Sequence, residues 1–262
     1  MKITVDGQQA FATTGGTSFD PARPAIIFLH GAGFDRTTWS LQTRFFAHHG
    51  KSVLAVDFPG HGWSEGKPLE SVAAMADWTA KLIAAAGLKD AALVGHSMGA
   101  LVALDCAARH PDKVSALALC GVASEMPVHP EMLESARANT PKVEELMTFW
   151  GIGNALHKGG MVSPGLWLRR TALAVLAANK PGTIHAALTA CNAYKDARAR
   201  AADVKCPTVL VLGDDDLMTP AAKAQPLSAA IARSKTVTIA NCGHFMMIER
   251  PDETLQALKA NV

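Results

Sequence analysis

Gly95-His96-Ser97-Met98-Gly99 joins a short apolar run, Ala91–Val94, to a stretch of good helix formers, Ala100–Leu104. A serine between a buried strand and a helix predicts a sharp turn with Ser97 at its tip. Glycine on either side lacks the Cβ atom that would clash where strand and helix come this close. The start of the helix would point backbone N–H groups at an anion formed beside Ser97.

This strand–turn–helix pattern, G-x-S-x-G, is the nucleophile elbow, in which a serine hydroxyl attacks the substrate. The five-residue pattern alone is weak, because chance gives on the order of one match in ten chains of this length. A serine hydroxyl is also a poor nucleophile at neutral pH and needs an adjacent base. The interpretation therefore depends on a base, an acid and an oxyanion hole elsewhere in the chain.

Both partners of Ser97 are expected downstream, in the order serine, acid, histidine. The apolar strand Thr208–Leu212 is followed by three consecutive aspartates at 214–216. Beyond them the chain contains one histidine, His244, which directly follows a strand. The chain order therefore leaves one candidate for the base and three adjacent candidates for the acid.

Apolar strands alternate with helical stretches along most of the chain, which indicates a mostly parallel sheet covered on both faces. A first helix is expected over Trp39–Ala47, a second from Val72 to Gly87, and a last one opening at Pro251. Thr219-Pro220 resembles an N-cap followed by proline at the first helical position. The predicted strands, the first two of which form a hairpin around Asp6-Gly7, are Lys2–Val5, Gln9–Thr13, Ala25–Leu29, Ser52–Val56, Ala91–Val94, Val114–Leu119, Thr208–Leu212 and Thr236–Ile239.

One region breaks the alternation: from about Val122 to Ala202 the sequence shows short helical stretches and no convincing strand. We interpret it as a helical cap over the carboxyl edge of the sheet, where α/β proteins bind ligands; extra helices packed elsewhere are the alternative. Trp150 and Trp167 either line the pocket or pack inside the cap. The predicted division is a core of residues 1–121 and 203–262 and a cap of residues 122–202.

Composition narrows the class of protein. The 262 residues are 49% hydrophobic and 18% charged, which favours one large α/β domain, or one with an insertion, over a disordered chain. A net charge of +2 does not suggest nucleic acid or an anionic membrane as partner. Five scattered cysteines, no signal-peptide pattern and no apolar run near ~20 residues favour reduced core thiols in a cytoplasmic protein.

Several other side chains that could take part in chemistry are interpreted as structural rather than catalytic. His30, His61 and His96 are expected to hold loops around the site by hydrogen bonds, and their spacing does not predict a metal site. Cys242, two residues before His244, is expected to be a core thiol. No cofactor and no metal are predicted.

Five segments, spread over nearly the whole chain, form a recognisable series of motifs: Leu29-His30-Gly31, Asp57–Ser64, Gly95–Gly99, Gly213-x-x-Asp216-x-x-Thr219-Pro220, and Gly243-His244 with Glu249-x-Pro251. In these segments and in their order the sequence resembles the α/β-hydrolase superfamily. The resemblance implies an eight-stranded, mostly parallel sheet with helices on both faces and a helical cap. It also implies that Asp216 is the acid, with Asp214 and Asp215 as solvated loop carboxylates.

The implied roles follow from this resemblance. His244 takes the proton from Ser97, Asp216 orients the imidazole, and the backbone N–H groups of Ala32 and Met98 hold the oxyanion, with Gly33 as the alternative second donor. The expected activity is cleavage of a small ester or related acyl substrate through an acyl-enzyme. Alternatives on the same fold are a C–C bond hydrolase of a diketone-like substrate, a cofactor-free perhydrolase and a ligand-binding receptor. The expected partner is a small-molecule ester-like substrate, and a homodimer is left open.

Overall fold

A computed structural model describes residues 1–158 and 167–262 of the chain, so residues 159–166 of the predicted cap lie outside the described residues. Within them an eight-stranded sheet has the order β1-β2-β4-β3-β5-β6-β7-β8. The pairs β1–β2 and β2–β4 are antiparallel and the other neighbours are parallel, which confirms the predicted mostly parallel sheet. The strands are β1 Lys2–Val5, β2 Gln8–Thr13, β3 Ala25–Leu29, β4 Ser52–Val56, β5 Ala91–His96, β6 Val114–Cys120, β7 Thr208–Gly213 and β8 Ser234–Ile239.

The centre of the sheet is covered on both faces. Every residue of β3, β4, β5 and β7 is buried, which accounts for their continuous apolar sequences. Strand β3 lies between β4 and β5, so the chain leaves it in one direction and later returns on its other side. Crevices for ligands form at the carboxyl ends of strands where the order reverses in this way. Here those ends lead into the loop after Leu29 and into Ser97.

Helices connect the strands, and the predicted helices are confirmed with boundaries that shift by a residue or two. The hydroxyl of Ser71 accepts from the N–H of Ala74 and begins the second helix, which ends before Gly87. The described helices are α1 Ser40–His48, α2 Val72–Ala85, α3 Met98–Arg109, α4 Pro130–Arg137, α5 Lys142–Gly151, α6 Leu168–Ala177, α7 Thr183–Ala193, α8 Ala197–Asp203, α9 Gln225–Ala230, α10 Met246–Glu249 and α11 Pro251–Lys259.

Within the described residues the region between β6 and β7 contains helices joined by loops and no strand, as its sequence predicts. Helices α4 and α5 pack on each other, α7 packs on α4, and α5 contacts α6. Helix α8 packs instead on α3 and α9, against the body of the sheet. The division into residues 122–202 and the remaining core stays a prediction.

The predicted N-cap at Thr219 is wrong. A single 3-10 turn, Ala221–Ala224, follows Pro220, and α9 begins only at Gln225. Pro220 itself occupies the N-cap position, with ψ 134°, so the chain becomes helical one residue later than predicted. The Thr219 hydroxyl donates to the carboxylate of Asp216, whereas an N-cap side chain accepts from a backbone N–H.

No helix within residues 1–158 and 167–262 combines the length and the apolar character needed to cross a membrane.

Candidate active site

Ser97 occupies a strained turn between β5 and α3. Its backbone angles, φ +52° and ψ −115°, lie in a region that non-glycine residues rarely adopt. A Cβ atom on Gly95 would lie 2.1 Å from the carbonyl oxygen of Gly99, and one on Gly99 would lie 2.4 Å from that of Leu29. Both glycines are therefore required by the close approach of strand and helix, as the sequence predicts.

His244 and Asp216 form a buried pair. The Nδ1 atom of His244 lies 2.8 Å from Oδ2 of Asp216, and both side chains are almost fully shielded from solvent. Oδ1 of Asp216 accepts from the backbone N–H groups of Met218 and Thr219, each at 2.8 Å. Burial opposes ionisation of Asp216, but the charge of His244 and the hydrogen bonds from His244 and Thr219 outweigh it and lower the pKa to about 2.

The other ring nitrogen of His244, Nε2, is a hydrogen-bond acceptor. Because Nδ1 donates its proton to Asp216, Nε2 of the neutral ring carries no proton. Within the described part of the chain this buried Nε2 has no hydrogen-bond partner. Ser97 and His244 line the same cavity. The cavity therefore brings together the two residues that the sequence predicts as nucleophile and base.

Asp214 and Asp215, which precede Asp216 in the chain, differ in exposure and in their hydrogen-bond partners. Asp214 is exposed and accepts from the N–H of Cys242 at 3.2 Å. Asp215 accepts from the backbone N–H of Asn154 at 2.6 Å and from its side-chain amide at 2.8 Å. Asp215 is a half-buried loop carboxylate that also contacts a segment of the predicted cap, which passes beside the acid loop.

The loop after β3 lies against the elbow. A Cβ atom on Gly31 would lie 2.8 Å from Nδ1 of His96 and 3.3 Å from the Cβ of Ser97, so a larger residue would force the loop or the elbow to shift. Ala32 lines the cavity, whereas Gly33 is not among its described lining residues and its carbonyl accepts from the side chain of Asn179, just after α6, at 2.6 Å. This placement favours Ala32 over Gly33 as the donor that would act together with the N–H of Met98 at the start of α3.

Two of the three histidines that are predicted to hold loops, His30 and His61, contact backbone groups. Nδ1 of His30 donates to the carbonyl of Gly31 at 2.9 Å, and its Nε2 accepts from the N–H of Phe58 at 3.1 Å. Nδ1 of His61 lies 3.1 Å from the carbonyl of Pro59. Burial lowers the pKa of His30 to about 4 and that of His61 to about 3, so both rings stay neutral near pH 7.

His96 connects the elbow to the histidine loop. Its Nε2 lies 2.9 Å from the carbonyl oxygen of His244, and the two ring centroids are 4.6 Å apart. Burial lowers the pKa of His96 well below its usual value. Cys242, in the same loop, is buried, and burial raises the pKa of its thiol, as expected of a core residue. Within the described ranges no three His, Cys, Asp or Glu side chains are grouped so that they could hold a metal ion.

The cavity above Ser97 has a volume of about 170 Å³. Its cap-side wall includes Met132 of α4, Met147 and Trp150 of α5, and Leu188 and Cys191 of α7. Trp150 therefore lines the pocket, whereas Trp167 is 67% exposed and is not among the described lining residues. The whole described lining contains no Asp, Glu, Lys or Arg side chain. An uncharged and largely apolar molecule fits such a wall.

A strained serine, a buried Asp–His pair and two converging loops thus lie together at the carboxyl edge of a doubly covered α/β sheet. Residues 26–257 match the model of the alpha/beta hydrolase family. The chain belongs to that family.

Curated relatives cover nearly the whole chain. It is 31% identical over 253 residues to a pimeloyl-[acyl-carrier protein] methyl ester esterase of Aromatoleum aromaticum, covering 88% of this chain and 95% of the relative. It is 30% identical over 252 residues to a putative carbamate hydrolase, RutD, of Klebsiella pneumoniae, with 88% of each chain covered. Among solved structures, the enol-lactonase of Burkholderia xenovorans LB400 superposes with a TM-score of 0.89 at 22% identity, covering 99% of this chain and 98% of that one, which bears on the fold alone.

Proposed function

We propose that this protein is a serine hydrolase that cleaves small, uncharged esters through an acyl-enzyme on Ser97. The observation that carries the proposal is the geometry of His244: Nδ1 is held by Asp216, while Nε2 is left as an acceptor in the cavity that contains Ser97. Supporting it, the relatives of about 30% identity are named as hydrolases of a methyl ester and of a carbamate.

The proposed reaction has two halves. His244 Nε2 takes the proton of Ser97 as its oxygen attacks the carbonyl carbon, and the N–H groups of Ala32 and Met98 stabilise the oxyanion. The imidazolium, stabilised by Asp216, then protonates the leaving alcohol. Water attacks the acyl-enzyme with His244 again as base, which releases the acid and restores Ser97.

The substrate class follows from the cavity. The described wall offers no charged side chain to a carboxylate or an ammonium group, and four methionines, at 126, 132, 147 and 218, provide adaptable apolar surface. A volume of about 170 Å³ holds a short acyl chain. We therefore expect p-nitrophenyl esters of short neutral acids to be hydrolysed faster than long-chain or anionic ones.

The test combines labelling with turnover. A fluorophosphonate probe should modify the protein once, and peptide mapping should place the adduct on Ser97. Ser97→Ala should abolish both labelling and ester hydrolysis, whereas Ser115→Ala, which changes an exposed serine of β6, should leave both unchanged. Undiminished labelling of folded Ser97→Ala would contradict the proposal. Labelling at Ser97 without hydrolysis of any ester in the panel would contradict the ester specificity.

A further inference from the structure

Glu249, at the end of α10, is a fully buried carboxylate whose hydrogen bonds all come from the backbone in the described part of the chain. Oε2 accepts from the N–H of Gly243 at 2.8 Å and from the N–H of Gly153 at 3.1 Å. Oε1 accepts from the N–H of Phe245 at 3.0 Å. Burying a carboxylate costs free energy unless hydrogen bonds or an opposite charge compensate for the lost hydration. Here three backbone donors converge on the carboxylate, which suggests that it has a role at this place.

The three donors lie on two separate segments. Gly243 and Phe245 are the residues on either side of His244, and Gly153 follows α5. The same two segments meet a second time, because the N–H of His244 donates to the carbonyl of Gly151 at 2.7 Å. A Cβ atom on Gly243 would lie 2.3 Å from the nitrogen of Gly153, so the two backbones are in direct contact. Glu249 thus ties the histidine loop to residues 151–153.

We propose that Glu249 is a positioning residue for His244: its carboxylate fixes the backbone on both sides of the histidine to the segment after α5 and adds a buried negative charge near the imidazole. The proposal rests on the proposed function, since it gives His244 the role of base. Glu249 itself does not touch the cavity that holds Ser97 and acts only through the histidine loop.

An ionised carboxylate suits this place better than an amide of the same shape. It offers acceptor oxygens to all three N–H groups, whereas a glutamine offers one oxygen and turns an NH2 group toward at least one donor. Burial raises the pKa of Glu249, while the N–H groups of Gly243, Gly153 and Phe245 oppose that rise. The charge also attracts a protonated His244, so it favours the imidazolium that forms during the reaction.

Other titratable groups lie around this pair and stay in place in the test. Asp216 and His96 face the imidazole of His244. Cys242 and Arg250 lie beside Glu249. The Asp215 carboxylate is near as well, because a Cβ atom on Gly153 would lie 3.0 Å from Oε2 of Glu249 and 3.4 Å from Oδ2 of Asp215. All of these residues are retained in the variants at position 249.

The experiment compares Glu249→Gln and Glu249→Asp with Glu253→Gln, which changes an exposed glutamate in the first turn of α11. For Glu249→Gln we expect kcat on the best p-nitrophenyl ester to fall about 10- to 100-fold, because the imidazole of His244 is no longer held in place. KM should be nearly unchanged, because the residues that line the cavity stay where they are. We also expect the acid-side midpoint of the kcat/KM profile to move to lower pH by roughly half a unit, because a negative charge near the imidazolium is gone. Glu249→Asp should lower kcat but keep the wild-type midpoint, and Glu253→Gln should keep both.

Amide proton shifts provide a measurement that needs no turnover. The amide resonances of Gly153, Gly243 and Phe245 should move upfield in Glu249→Gln and stay in place in Glu253→Gln. A folded Glu249→Gln with wild-type kcat, an unmoved acid midpoint or unmoved amide resonances overturns the proposal. Failure of the proposed function is distinct, since it would appear as missing hydrolysis by the wild-type protein and unchanged labelling of Ser97→Ala.

Discussion

The Thr219 hydroxyl donates a hydrogen bond, 2.7 Å long, to the same oxygen of Asp216 that accepts from His244 at 2.8 Å. The hydroxyl oxygen also lies 3.2 Å from Nδ1 of His244. With Oδ1 held by two backbone N–H groups, the carboxylate cannot rotate without losing a donor. Thr219 therefore fixes the acceptor that orients the imidazole.

We expect Asp216→Asn to lower kcat about 10⁴-fold, because an amide favours the wrong tautomer of His244. Asp214→Asn should change kcat little, since Asp214 is exposed and accepts one long bond from the N–H of Cys242. Asp215→Asn should have an intermediate effect through its bonds to Asn154. The three variants are assayed on one ester, with circular dichroism as the check on folding. A collapse of kcat at Asp214 or Asp215, with Asp216→Asn unaffected, would show that the acid is misassigned.

Thr219 can be tested without removing a charge. Thr219→Val keeps the shape but loses the hydroxyl, and we expect kcat to fall about tenfold, because Oδ2 of Asp216 loses one of its donors and one hydrogen bond to a charged group is worth roughly 1.5–3 kcal/mol. Thr219→Ser keeps the hydroxyl and should retain most of the activity. Equal loss in the two variants would assign the effect to the methyl group's packing and contradict the role of the hydroxyl.

The sequence predicts the sheet and the sharp turn at Ser97 well, because both rest on local signals. Ala25–Leu29 and Ser52–Val56 are apolar at nearly every position and have the bounds of β3 and β4. Gly95 and Gly99 mark a close approach that no other residue permits. Such signals need only a few neighbouring residues.

The contacts of Asp215 and Glu249 depend instead on segments that are distant along the chain. Asp215 meets Asn154 and Glu249 meets Gly153 because the chain after α5 passes beside the acid and histidine loops. Thr219-Pro220 has the local pattern of a helix start, yet the nearby carboxylate of Asp216 takes the hydroxyl. The motif Gly213-x-x-Asp216-x-x-Thr219-Pro220 includes this threonine. Its spacing is the only feature of the sequence that points to the hydrogen bond between Thr219 and Asp216.

Phe34 separates two cavities. Its buried ring lines the cavity above Ser97 and also a second cavity of about 250 Å³ beside Leu41 and Val175. Removing the ring should join the two, so we expect Phe34→Ala to raise the relative kcat/KM for longer acyl chains by about tenfold, in the range that one or two methylene groups contribute in an apolar pocket.

Phe46→Ala is the matched control, because Phe46 is buried beside Phe28 and lines neither described cavity. Both variants should lose about 3–5 kcal/mol in the free energy of unfolding. A series of p-nitrophenyl esters from acetate to decanoate measures the preference. An unchanged preference in folded Phe34→Ala would mean that the second cavity is not an extension of the first.

The buried ion pair of Arg36 and Asp57 explains the turn after β4. Nη1 of Arg36 lies 2.7 Å from Oδ2 of Asp57, and the carboxylate also accepts from the backbone N–H groups of Arg36 and Trp63. The guanidinium lies 4.0 Å from the ring centroid of Trp63 and 4.6 Å from that of Phe11. Gly62, at φ +48°, would place a Cβ atom 2.3 Å from Oδ2 of Asp57, so the motif over Asp57–Ser64 wraps the backbone around one carboxylate.

We expect Asp57→Ala to lower the free energy of unfolding by about 3–5 kcal/mol, because it leaves the Arg36 cation buried without its partner. Asp6→Ala breaks the exposed pair with Lys81, both side chains of which are 57% accessible, and should cost at most about 1 kcal/mol. Urea denaturation of the two variants measures both values. Arg36→Met combined with Asp57→Ala should recover part of the loss, since no unpaired charge then remains. If the double variant is as unstable as Asp57→Ala, the loss comes from the backbone N–H groups that the carboxylate holds rather than from the stranded guanidinium.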